Sequence, residues 1–101
     1  MRQFIREQMI QTAAGNKGRD AVAQAVANCT EGDFVSGRLL KAELETAGYE
    51  ITETPRKVLT RVDVSKDGAQ VAYGESNDAS DALLQAVAAY LRELPAIEAA
   101  A

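Results

Sequence analysis

Histidine is absent from the 101 residues, and cysteine occurs once, as Cys29. The first absence removes the commonest general base and the commonest transition-metal ligand. The second excludes an internal disulfide and a thiolate metal cage. Large apolar side chains are scarce as well. Alanine supplies 19 of the residues behind the 47% apolar fraction, while Ile, Leu, Val and Phe together number 22. A core this thin gains from a partner or a second copy, so a homodimer is one expectation. The N-terminal stretch has no apolar run and carries Arg2, Arg6 and Glu7. Neither a signal peptide nor a membrane span is expected there. The composition points to a soluble, cytoplasmic protein with no membrane partner.

These shortages leave little chemistry to assign. Cys29 has no histidine to activate it, and Ser36, Ser65, Ser76 and Ser80 lack the same partner. The carboxylate pairs Glu43/Glu45, Glu50/Glu53 and Asp78/Asp81 have no flanking apolar pocket to split their pKa values. Asp63 and Asp67 lack the ligand spacing of a calcium loop. Gly15 and Gly18 flank Lys17, but a phosphate loop needs its lysine directly after the second glycine, so a hinge is the simpler reading. The expectation is a protein that is not an enzyme and uses no cofactor and no metal.

What the chain does contain is an organising segment from Val58 to Leu94. Val58, Thr60, Val62 and Val64 alternate with Lys57, Leu59, Arg61 and Asp63, the period of a half-buried strand. Asp67-Gly68 suits a type I′ turn. A simple two-residue loop there would set Val64 against Val71 and Val62 against Tyr73. A helix then starts near Asn77 or Asp78, with Leu83, Ala86, Val87, Tyr90, Leu91 and Leu94 as its apolar stripe, and Pro95 ends it. Upstream, residues 1–14 form a helix broken at Gly15-Asn16-Lys17-Gly18, and Asp20 caps a second helix to about Asn28. Residues 28–33 read as a connection. A third helix covers about 34–47, capped by Asp33 or Ser36, and ends at Gly48 with Leu44 and Tyr49 in contact. Tyr49 and Ile51 open a strand that stops near Pro55. Phe34, Tyr49, Tyr73 and Tyr90 are all expected in the core.

The fold class is therefore α+β: N-terminal helices, then a helix, a three-stranded antiparallel sheet and a C-terminal helix packed on one sheet face. One domain spans 1–101, with a helical segment at 1–28, an α-β-β-β-α core at 33–94 and a frayed tail at 95–101. The alternative is a winged helix-turn-helix, because Thr54-Pro55 also makes a helix start that would carry Arg56, Lys57 and Arg61. Four β-branched residues in strict alternation favour the strand.

In order of elements, residues 36–94 resemble the double-stranded-RNA-binding domain family. Val62-Asp63-Val64, the Asp67-Gly68 turn, residues 71–74 and the helix at 79–94 fall where that family has its closing hairpin and final helix. Where the family carries a lysine cluster, this chain reads Asn77-Asp78-Ala79-Ser80-Asp81. The resemblance implies architecture and assigns no RNA-contact residue. In style the small, acidic, alanine-rich chain also resembles bacteriophage accessory proteins, which implies binding to a host protein.

Charge supplies the candidate site. The net charge is −4, yet residues 1–66 carry ten Lys/Arg against nine Asp/Glu, and residues 67–101 carry one against six. Arg56, Lys57, Leu59, Arg61 and Lys66 form the candidate partner-binding set, with Lys57, Leu59 and Arg61 expected on the sheet face opposite the valines. No aromatic residue interleaves to stack bases. The expected function is non-catalytic binding of a host or self protein, as an inhibitor or regulator. The runner-up is nucleic-acid binding through 56–66. An acidic C-terminal half that mimics nucleic acid is a further alternative.

Overall fold

The computed structural model describes residues 3–94, with side chains from Arg6 onward; the predicted tail at 95–101 lies outside them. The chain is α+β, with four helices, a three-stranded antiparallel sheet and a two-stranded ribbon among the described residues. Helix α1 (Gln3–Asn16) runs two residues further than expected, through Gly15 and Asn16. The buried Asn16 donates through Nδ2 to the Thr12 carbonyl at 2.9 Å, which holds that last turn together. Helix α2 (Ala21–Asn28) starts where Asp20 accepts from the Val22 and Ala23 amides at 2.9 and 3.0 Å. These bonds satisfy two donors the helix cannot pair internally.

The supposed connection after α2 contains a small hairpin, β1 (Thr30–Glu31) and β2 (Phe34–Val35), turned at Gly32 with φ of 64°. Helix α3 (Gly37–Thr46) consequently begins later than residue 34, capped by Ser36, which accepts from the Leu39 amide. Phe34 is left 57% exposed, against the expectation of a core aromatic. The end of α3 is as predicted. The Tyr49 amide donates to the Leu44 carbonyl and the Gly48 amide to that of Glu45, the paired bonds of a Schellman ending, and both Leu44 and Tyr49 are buried.

Strands β3 (Glu50–Pro55), β4 (Thr60–Lys66) and β5 (Ala69–Ser76) form the main sheet in that order. The winged-helix alternative does not hold, because 56–59 is a turn and Thr60 opens a strand. The register differs from the expected one. Val62 pairs with Gly74 and Asp63 with Tyr73, because Val71 is an extra residue between the pairs Ser65–Gln70 and Val64–Ala72. This β-bulge turns Tyr73 to the outer face, where it is 51% exposed, and brings Gly74 inward.

The cause lies in helix α4 (Ala79–Arg92), which crosses the inner face. A Cβ at Gly74 would meet the Ala82 carbonyl oxygen and stand 2.7 Å from the Ala86 amide nitrogen. Only glycine allows α4 this close, so the strand takes the register that puts glycine there. Val62 and Val64 then pack fully buried with Leu83, Ala86, Val87 and Leu91, and Leu40 and Leu44 of α3 complete that side. The core continues through Ala88 to α1 and α2, with Met9, Ala13, Val22 and Val26. Small side chains dominate this second layer, so it is held by close approach more than by large buried volumes. The Tyr90 hydroxyl ties the layers together, donating to Asp20 Oδ2 at 2.6 Å across 70 residues of sequence.

Candidate protein-binding surface

The segment between β3 and β4 is a hairpin with a two-residue tip, Lys57-Val58. Pro55 pairs with Thr60, and beyond it the Arg56 amide donates to the Leu59 carbonyl at 2.8 Å. The strict alternation that placed Val58 in the core fails because the strand has not yet begun at that residue. Val58 is 79% exposed and Leu59 37%. Two aliphatic side chains thus stand at the extremity of the sheet, beside Arg56 and Lys57, both exposed. Val58 has no part in the core, and its burial would need a partner.

The structure divides the predicted set. Arg56, Lys57 and Leu59 come together at the tip. Arg61 lies on the outer face of β4, but its charge is already used. Its Nε and Nη2 donate to the Asp63 carboxylate at 3.1–3.2 Å, and its guanidinium carbon sits 4.3 Å from the Tyr73 ring centroid. Arg61's hydrogen bonds hold the Asp63 carboxyl below the usual carboxylate range, helped by Gln70. Lys66 is at the other end of β4, some 20 Å from the tip for a strand of this length. Its ammonium lies 4.8 Å from the Tyr49 ring centroid. The expected basic face of Lys57, Leu59 and Arg61 therefore does not exist. The outer face carries Thr52 and Thr54 of β3 opposite Asp63 and Arg61, with Glu75 beside Arg61 on β5.

Sequence reasoning missed Val58, whose β-branched side chain fits a strand pattern, and Tyr73, which the bulge turned outward. The only signal that could have placed Val58 at a tip was the preceding proline, which limits β3. Elsewhere the chemistry is sparse. Cys29 is buried, and burial followed by the Glu43 charge pushes its thiol pKa up, the opposite of activation. Among the described residues no group of three His, Cys, Asp or Glu is placed to hold a metal ion. No described helix is long and apolar enough to cross a membrane. No family model, curated protein or solved structure matches this chain.

Proposed function

We propose that the chain is a non-catalytic protein-binding module, an inhibitor or regulator that engages its partner through the β3–β4 tip. The observation that supports this reading is the exposed Val58, flanked by Leu59 and by the cations Arg56 and Lys57. Such a tip fits a small apolar pocket rimmed by carboxylates, with the aliphatic side chains supplying affinity and the cations steering approach. The host proteins bound by phage accessory proteins are one source of such a pocket. Nucleic acid fits less well, because Asp63 already binds Arg61 and Lys66 is remote from the tip.

The test is a paired capture. The wild-type chain and a Val58→Asp/Leu59→Asp chain, each shown to melt at the same temperature, are used as bait in a lysate and the retained proteins identified by mass spectrometry. One protein retained by the wild type and lost from the variant is the expected result. An anisotropy titration with random duplex DNA and RNA accompanies it. Micromolar binding that weakens steeply with salt and vanishes in Arg56→Glu/Arg61→Glu would replace this reading with the nucleic-acid one.

A further inference from the structure

Among the described residues the main sheet has two open edges, and they differ. Among the described residues β3 and β5 each pair with β4 alone. The β3 edge carries Glu50, Glu53 and Pro55, charges and a residue without an N–H, features that discourage another strand from joining. The β5 edge has, in eight residues, no proline and one charge, Glu75. Beside it runs a groove of about 680 Å³ between the strand and α4, lined by Ala72, Gly74, Ala89, Tyr90 and Leu94 among others. Its charged lining residues are Glu75 and Glu93, and no lysine or arginine is among them.

We infer that the free edge of β5 is a strand-addition site for an extended segment of a partner protein, aliphatic on one face and basic on the other. Main-chain hydrogen bonds to the edge would supply affinity, and the two faces of the added strand would supply selectivity. Aliphatic side chains, recurring every second residue, would enter the groove against Ala72, Ala89 and Leu94. The alternate basic side chains would lie on the outer face beside Glu75. Charge disfavours a second copy's β5 in this place, since that strand carries Glu75 as its one charge and brings no lysine or arginine to meet the two glutamates. The inference rests on the chain being a protein binder, but it concerns a surface separate from the tip.

The experiment titrates the isotope-labelled full chain with a synthetic peptide of alternating lysine and valine, with alternating glutamate and valine as the control. The expected result is amide shift changes concentrated in 69–76 and 85–94 and absent along 50–55. Affinity should fall about tenfold or more in Glu75→Lys/Glu93→Lys, two exposed positions whose reversal leaves the core alone. Three results would overturn the inference: changes along β3, equal binding of the glutamate peptide, or no change at β5 with millimolar peptide. A concentration-dependent dimer in sedimentation, with β5 shifts in the absence of peptide, would assign the edge to a second copy and overturn it too. Val58→Asp should bind the lysine peptide as the wild type does. Failure at the edge therefore leaves the tip reading intact, and failure at the tip leaves the edge.

Discussion

The two hairpins of the sheet share β4 and are built to different ends. The β4–β5 turn has residues its backbone requires: Asp67 at φ of 53° and Gly68 at 81°, the left-handed pair of a type I′ turn. Its strands lie under α4, and its inward Val62 and Val64 are buried. The β3–β4 tip has no glycine and leaves an aliphatic residue in solvent. Folding accounts for nearly every choice in the first hairpin and leaves Val58 in the second unexplained. That remainder is where a binding function has room.

The contrast can be broken from either side, and the largest effects are expected under α4. Leu91→Ala should cost about 2–5 kcal/mol, because Leu91 is fully buried in a core with few large side chains. A denaturation midpoint unchanged by it would mean that α4 does not hold the hairpin. Gly74→Ala adds one methyl against the backbone of α4 and should cost about 3 kcal/mol, read from chemical denaturation. Full stability in that variant would show that the close approach does not set the register.

A smaller loss, about 1.5–3 kcal/mol, is expected for Tyr90→Phe, which removes a hydrogen bond to a carboxylate. Burial, then the Asp20 bond and charge, raise the Tyr90 pKa, so the unfolded chain gives up this proton at lower pH than the folded one. The stability from this contact is complete below about pH 10 and declines as pH rises above it. Melting curves across that range should therefore fall less steeply for the phenylalanine variant. Gly68→Ala should cost about 1–2 kcal/mol, since its φ is one that side chains resist. Val58→Asp should change stability by less than about 0.5 kcal/mol while abolishing capture of the partner. A large stability loss at Val58 would erase the contrast, because the tip would then serve the fold.

Much of the architecture was legible because local chemistry and tertiary need agree. Asp20, Ser36 and Asp78 cap helices, Gly48 and Tyr49 end one, and Asp67-Gly68 turns the chain, each by bonds within a few residues. What stayed hidden depended on distant contacts. The sequence around the Asp67-Gly68 turn carries no sign of the bulge, which answers to Ala82 and Ala86 on a helix not yet reached. The β1–β2 ribbon is two residues a side, too short for any period to register. For the candidate site, a cluster of cations in sequence became a tip, an ion pair and a remote lysine once the strand stretched between them. Alternation identified Val58 as a strand residue and could not reveal that the strand starts at Thr60.

The bulge at Val71 also governs how this chain tolerates a change in length. Val71 is the one residue of β5 with no opposite number on β4, so the strand counts in one phase before it and another after it. Deleting any one of Val71, Ala72 or Tyr73 removes the surplus residue, so a regular ladder counted from the Asp67-Gly68 turn still brings Gly74 opposite Val62. A chain shortened by Val71 or by Ala72 should keep its nuclear Overhauser contact between Val62 and Gly74, whereas one shortened by Gly74 should place Tyr73 opposite Val62. This stretch of β5 can thus lose one residue and still deliver its glycine to the helix.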